Sequence, residues 1–276
     1  MESIHSFLQL TEHLRKEGVR KRIAVVCGND DSTRHAIERA ESEGFAEAIR
    51  VDGDDAAVRA VELVREGRAD ILMKGLVNTN DVLRAVLDKE KGILPKGKVL
   101  THITAADIPG HDKLIFFTDP AVIPYPTQEQ RRAQVAYIAR LCHNFGIVEP
   151  RISLIHCNEK VSEKHFPHTA GYAELREEAM RGDFGACIVD GPLDLKTSCC
   201  LKSMQTKGID SPIAGQADAL IFPDIEAANV FYKTVTLFCH AETACALQGT
   251  LAPVVLPIRA DSTDSKFYSL ALACLA

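Results

Sequence analysis

The segment Pro253-Val254-Val255-Leu256-Pro257-Ile258-Arg259-Ala260-Asp261-Ser262-Thr263 brings together residues that could do chemistry on an anion. A short buried-strand run ends at Arg259. Two residues later Asp261, Ser262 and Thr263 are side chains that cap helices. An apolar helix pattern then runs from Phe267 to Leu275. A helix start presents free N–H groups and a partial positive charge, which suits a phosphate, and an arginine adds a planar charged fork. The segment therefore reads as an anion site at a strand-to-helix turn. The same residues also describe an ordinary capped helix beside a surface arginine, and the segment alone leaves both open.

In open α/β sheets ligands bind outside the carboxyl ends of the strands, so the residues at the end of each strand-like run matter most. Lys74 and Gly75 come after Ile71-Leu72-Met73, and Thr118-Asp119-Pro120 after Phe116-Phe117. Asp190-Gly191-Pro192 come after Ile188-Val189. Gly215-Gln216-Ala217-Asp218 precede Ala219–Phe222, and Pro223-Asp224 succeed it. Each has a plain structural reading: Lys74 as a surface lysine, Asp119 and Asp224 as caps, Asp190-Gly191-Pro192 as a turn with Pro192 near the first helical position. As a set, these glycines, cations and helix starts describe a cleft for a phosphorylated or nucleotide-like ligand. Standard signatures are missing: the sequence contains no GxxxxGK[ST], no GxSxG and no HExxH. Where GxGxxG would succeed the first strand stands Cys27-Gly28-Asn29-Asp30. No metal site is expected, because no CxxC occurs and Cys199-Cys200 are adjacent.

The elements that must position these residues alternate. Strand-like runs are expected at 22–27, 46–51, 70–73, 151–156, 186–189, 219–222 and 254–256. Helix-period segments are expected at 1–18, 32–43, 56–66, 78–89, 127–144, 169–181, 193–207 and 225–236. Two consecutive runs, Val99–Ile103 and Lys113–Phe117, suggest an antiparallel pair. Repeated β-α alternation implies an α/β fold with mostly parallel sheets and helices on both faces. Three prolines between Pro120 and Pro126 disfavour regular structure. With a second hinge near Gln248–Pro253, they predict one lobe of residues 1–122 with 249–276 and another of residues 123–248.

At 276 residues the chain is long enough for one large or two ordinary domains, either of which buries a substantial core, and the net charge of −6 argues against nucleic acid as the main partner. A locally basic site on an acidic protein still binds anions. No apolar run approaches the roughly 20 residues of a membrane span. The start, Met1-Glu2-Ser3-Ile4-His5-Ser6-Phe7, lacks the pattern of a signal peptide, so the cytoplasm is expected. The nine cysteines, an odd number, fit that placement. Cys27, Cys157, Cys187, Cys239 and Cys274 lie in or beside apolar runs and read as small buried hydrophobes.

Six motifs carry a resemblance. They are Ile71-Leu72-Met73-Lys74-Gly75-Leu76-Val77, Val82 to Gly92, Val189-Asp190-Gly191-Pro192-Leu193, Gly208 to Gly215, Phe222 to Lys233, and Arg259-Ala260-Asp261-Ser262 with Lys266-Phe267-Tyr268-Ser269. From about residue 70 to the end, the chain resembles the phosphate acetyl- and butyryltransferases, more closely the butyryl branch. The resemblance implies the reaction acyl-CoA + phosphate ⇌ acyl phosphate + CoA, through a ternary complex without a covalent acyl-enzyme. It implies two α/β/α lobes of the isocitrate/isopropylmalate dehydrogenase type with an interlobe cleft, usually as a homodimer. CoA and phosphate would be substrates, with no tightly bound cofactor.

On this resemblance Arg259 grips phosphate, Ser262 opens the helix that shares its charge, and Asp261 is the base for the CoA thiol. Lys74, Gly75, Asp119, Asp190, Gly191, Pro192, Gly215, Asp218 and Ser265 are the expected substrate-binding set. The chain departs from the acetyl branch in having Ile258 where that branch has a serine, and Ser265 where it has an aspartate. Short-chain acyl transfer to phosphate, butyryl above acetyl, is the leading expectation. A non-catalytic CoA-sensing module, like the acyltransferase-like domain of some malic enzymes, is the alternative from a different class. A metal-dependent hydroxyacid dehydrogenase would need clustered aspartates and a nucleotide motif that the sequence lacks.

Overall fold

A computed structural model describes residues 2–257 and 262–276 of the chain. Elements are numbered along the sequence. Two compact units emerge: His5–His102 with Glu242–Ala276, the first unit, and Met1–Ile4 with Ile103–Ala241, the second.

The first unit is built on β1 (Lys21–Val26), β2 (Ala46–Val51), β3 (Ile71–Lys74), β9 (Glu242–Gln248) and β10 (Val254–Val255), in the order β2-β1-β3-β10-β9. The first four run parallel, and β9 pairs antiparallel with β10 through Val254 and Leu247. Ile23 to Val26 and Ile71 to Lys74 are buried throughout, as befits central strands covered on both faces. Helices α1 (Phe7–Glu17), α2 (Asp31–Ser42), α3 (Ala56–Arg65), α4 (Thr79–Val86) and α10 (Thr263–Leu275) complete it. From β1, α2 leads outward to β2 and α3 leads back past β1 to β3. Right-handed crossovers in opposite directions place these two helices on opposite faces. Helix α10 is apolar nearly all round and correspondingly buried, with Phe267, Leu270, Ala271 and Leu272 wholly enclosed. Phe267 meets Phe45 at 5.6 Å and lies beneath the Arg39 guanidinium at 3.8 Å, docking α10 on α2.

The second unit orders its strands β4-β5-β8-β6-β7. β4 (Thr101–Asp107) and β5 (Ile115–Thr118) form the expected antiparallel pair; β8 (Ala219–Ile221), β6 (Arg151–Ile155) and β7 (Ile188–Leu193) continue in parallel. Its helices are α5 (Gln128–Asn144), α6 (Tyr172–Met180), α7 (Leu195–Cys199), α8 (Leu201–Thr206) and α9 (Ile225–Leu237). A Thr127/Gln130 capping box starts α5. Phe117 and Phe231 meet edge to face at 5.1 Å over a core that includes Ile155, Leu193 and Leu220.

The fold departs from several expectations. Strand β9 has no counterpart in the sequence pattern: Glu-Thr-Ala-Cys-Ala-Leu-Gln carries one β-branched residue, and its extended form comes from its β10 pairing and from α10, whose Ser269 hydroxyl receives the Cys245 N–H. Asp190, Gly191 and Pro192 are not a turn before a helix but lie inside β7, and Asp194 caps the next helix instead. The helix expected over 193–207 is two short ones meeting at Cys200. The compact units divide at 102/103 and 241/242, and the prolines at 120–126 fall inside the second. Cys157 and Cys239 are exposed, beyond the ends of β6 and α9, and all nine cysteines are free thiols.

Beyond β6 a ring cluster gives the second unit a pH dependence. His156 packs against Phe166 at 4.6 Å and His168 at 5.3 Å, and His168 also faces Tyr172. Burial first, then the Arg131 guanidinium and His156, push the His168 imidazole down from 6.5 to about 4; burial also lowers His156. The unfolded chain binds these protons first, so the stability is fully present above about pH 6.5 and lost as pH falls toward 4. The urea midpoint is expected to fall between pH 7.5 and pH 5, and His168→Phe to flatten that fall. An unchanged slope in the variant would remove His168 as its source.

Candidate active site

Parallel β1, β3 and β10 are neighbours, so their carboxyl ends deliver three loops to one place. From β1 comes Cys27-Gly28-Asn29-Asp30 and the start of α2; from β3, Lys74 and Gly75; from β10, Leu256 and Pro257. A cavity of about 390 Å³ opens there, lined by Asp30, Ser32, Lys74, Gly75, Pro257 and Lys266 among others. The β1 and β3 loops are knitted together: Gly75 N–H donates to Val26 O at 2.8 Å and Leu76 N–H to Cys27 O at 2.7 Å. The approach is so close that a Cβ on residue 75 would lie 2.7 Å from the Cys27 carbonyl carbon and from Gly28 Cα. Only glycine fits.

Two lysines on the cavity wall are buried, Lys74 at 4 % and Lys266 at 5 % exposure. Lys74 Nζ donates to Gly75 O at 3.3 Å and Pro257 O at 3.4 Å. Lys266 Nζ donates to Asp30 Oδ1 at 3.1 Å, Ser32 Oγ at 2.6 Å and Thr33 Oγ1 at 3.0 Å. Asp30 caps α2 by accepting from Thr33 N–H at 3.0 Å. Burial by itself would raise the Asp30 carboxyl, but bonds from the Thr33 hydroxyl and amide, Ser32 and Lys266 outweigh it and hold it well below the usual carboxylate range. Ser262 caps α10, accepting from Ser265 N–H at 3.0 Å. Lys74, Lys266 and the start of α2 meet at this cavity together with the carboxylates of Asp30 and Asp31, so an anion there would be drawn by individual donors and not by a net positive charge.

The expected residues separate into groups. Lys74 and Gly75 line this cavity, and Ser262 opens the helix whose Lys266 does. Ser265 turns its hydroxyl to Thr243 O at 2.9 Å, fastening α10 to β9. Arg259 and Asp261, with Ile258, lie outside the described residues.

In the second unit Asp119, at the carboxyl end of β5, accepts from the amides of Ala121 and Val122 at 2.9 and 2.8 Å and organises that loop. Asp190 in β7 pairs with Arg176 at 2.9 Å and accepts from Ser211 at 2.6 Å, with Gly191 and Pro192 next to it in the strand. Gly215, at φ 63°, sits where a Cβ would enter the Cys200–Leu201 backbone. Asp218 pairs with Lys113 at 2.5 Å and accepts from Arg151 N–H at 2.8 Å, at the amino end of β8 and so opposite Asp119.

Sequence reasoning does not single out Lys266, Asp30 and Ser32 as site residues. The available signal is a lysine heading an otherwise apolar helix, and an aspartate with two hydroxyl residues at a strand end. Among the described residues no group of three or more His, Cys, Asp or Glu side chains is placed to hold a metal ion.

Fold and site define an α/β protein with a polar cavity outside the carboxyl ends of its parallel strands, the place where open α/β sheets bind their ligands. The family profile described as "Phosphate acetyl/butaryl transferase" matches residues 28–274. The chain belongs to that family. It is 36 % identical to the phosphate butyryltransferase of Clostridium beijerinckii, over 94 % of each chain. It is 34 % identical to the phosphate acetyltransferase of Thermotoga maritima, over 97 % of this chain and 98 % of that one. A branched-chain phosphotransacylase from Enterococcus faecalis superposes with a TM-score of 0.82 at 29 % identity, covering 93 % of this chain and 98 % of that one. A 4-hydroxythreonine-4-phosphate dehydrogenase from Salmonella typhimurium, at 11 % identity and TM-score 0.52, shares the fold alone.

Proposed function

We propose that the protein transfers a short acyl group between CoA and inorganic phosphate, with a four-carbon group preferred. The observation that carries this reading is the cavity walled by Lys74 and Lys266 in a chain of this family. A phosphate oxygen attacks the thioester carbonyl, the tetrahedral oxyanion collapses, and the C–S bond breaks to leave acyl phosphate and CoA thiolate. The protein must hold phosphate in line with the thioester and stabilise the oxyanion. Arg259 grips phosphate, Lys74 supplies a buried positive charge, and Asp261 takes the thiol proton in the reverse direction. Asp261, with Ser265 in place of an aspartate, supports the butyryl preference over acetyl. CoA and phosphate act as substrates, with no resident cofactor.

The acting form is a cytoplasmic homodimer on this reading. Supporting the dimer, Val230, Leu237 and Phe238 leave an apolar face of α9 exposed. Among the described residues no helix is long and apolar enough to cross a membrane.

The test is release of free CoA from acetyl-, propionyl-, butyryl- and isobutyryl-CoA, monitored with a thiol reagent with and without phosphate. Release is expected only with phosphate and to be fastest with a four-carbon group. Binding of CoA without release from any of them would instead identify a CoA-sensing module.

A further inference from the structure

We infer that the second unit carries an oxyanion subsite for a phosphate group, formed by the Arg131 guanidinium and the His168 imidazole beyond the carboxyl ends of β6 and β8. The subsite stands apart from the acyl-transfer reading and does not depend on it. Arg131 is 2 % exposed, and arginine is almost never fully buried unless paired. Its neighbour on α5, Arg132, shows the usual arrangement, with Glu174 and Glu178 carboxylates at 2.8 and 2.6 Å. Arg131 makes no ion pair among the described residues. Its Nη2 donates to Pro223 O at 3.2 Å, and its Nε is buried without an acceptor. A guanidinium has five N–H donors, so one carbonyl leaves most of them unmatched by protein.

A second unmatched group lies in the same cluster. His168 Nε2 is buried and has no hydrogen-bond partner among the described residues. The Arg131 Cζ and the His168 ring each lie 5.7 Å from the centre of the Tyr172 ring. The Tyr172 hydroxyl donates to Ile155 O at 2.9 Å, which fixes that ring at the end of β6. His156, immediately after β6, packs on His168 at 5.3 Å. Phe166, 39 % exposed, meets both histidines at 4.6 and 6.2 Å, so the cluster lies one ring below the surface.

The carboxylate that acts on both Arg131 and His168 is Asp224, which caps α9 by accepting from Ala227 N–H at 2.8 Å. It offsets part of the positive field, so an anion is drawn by individual donors. An arginine fork matches two phosphate oxygens, and an imidazole N–H can serve a third. Burial, then Arg131 and His156, hold the His168 imidazole down at about 4. A bound oxyanion opposes these effects and favours the imidazolium. Removing an unpaired buried charge is commonly neutral or stabilising, so Arg131→Met is expected to fold.

The experiment follows the histidine resonances of the isotopically labelled full-length protein between about pH 8 and about pH 5. Chloride, inorganic phosphate and CoA are compared at equal ionic strength. The His168 midpoint is expected to rise by about 1–2 units with the oxyanion relative to chloride. A rise with inorganic phosphate identifies the free ion as a ligand; a rise with CoA alone identifies a phosphate carried on the larger molecule. The response should vanish in Arg131→Met and persist in Lys74→Ala, which alters the cavity of the first unit. In His168→Phe, phosphate binding read at His156 is expected to weaken roughly 10-fold, the effect of losing one charge-assisted hydrogen bond. A midpoint that moves no further in phosphate or CoA than in chloride overturns the subsite. So does a response that survives Arg131→Met, one that disappears in Lys74→Ala, or parental affinity in His168→Phe.

Discussion

Arg259→Ala is expected to lower kcat/KM for phosphate by roughly two to three orders of magnitude, the scale for losing one preorganised donor at a developing oxyanion or its nucleophile. A guanidinium offers five N–H donors in a rigid fork that matches two phosphate oxygens at once. Alanine removes both the charge and the geometry. Lys74 remains at the cavity wall as a 4 % exposed ammonium, so weak phosphate binding should survive and the loss should be incomplete. Arg259→Lys restores charge without the fork and is expected to recover only a small part of the loss. Initial rates against phosphate at saturating acyl-CoA separate the contributions. A raised KM with unchanged kcat would assign Arg259 to ground-state binding, and equal falls in kcat and kcat/KM to the transition state. Parental KM and kcat in Arg259→Ala would eliminate the proposed role.

Gly75→Ala should damage stability and activity together. The new Cβ would meet backbone, the Cys27 carbonyl and Gly28 Cα, and not the yielding end of a side chain. That backbone is pinned in return by Gly75 N–H to Val26 O and Leu76 N–H to Cys27 O. Relief requires the β1 and β3 loops to part, stretching both hydrogen bonds. Overpacking of this kind costs about 1–3 kcal/mol, or roughly 2–4 °C in melting temperature per kcal/mol at this chain length. The same displacement moves Lys74 on one loop and Asp30 on the other, so turnover should drop on the order of 10²-fold. Melting and phosphate-dependent CoA release, measured on one preparation, check both. A variant that melts and turns over like the parent would show that the loops yield without consequence.

The loops and helix starts of the first unit are readable from local rules. The apolar run of β3, the lysine and glycine that end it, and the hydroxyl and acidic residues before α2 and α10 each declare a strand end or a cap from neighbours a few residues away. The family resemblance uses the same kind of signal, short ordered motifs from residue 71 onward, and the profile match over residues 28–274 agrees with it. Asp190-Gly191-Pro192 shows where local rules mislead. In isolation it spells a turn, yet pairing of β7 with β6 through Ile188 to Asp190 and again at Leu193 keeps it extended.

The sequence by itself determined most of the strand and helix order, with β9 and the break at Cys200 the exceptions, and the polar residue types at strand ends, because each depends on contacts within about one turn or one strand. Only the tertiary structure decided which of those residues meet. Asp30 and Lys266 are 236 positions apart, and nothing in either neighbourhood encodes the other; the β2-β1-β3-β10 strand order puts them on one cavity. The same order made β9 a strand despite its weak propensity, and chain direction set Asp218 at the amino end of β8, away from Asp119. Pairing, register and burial are properties of the assembled sheet, and a side chain's partners are set by them.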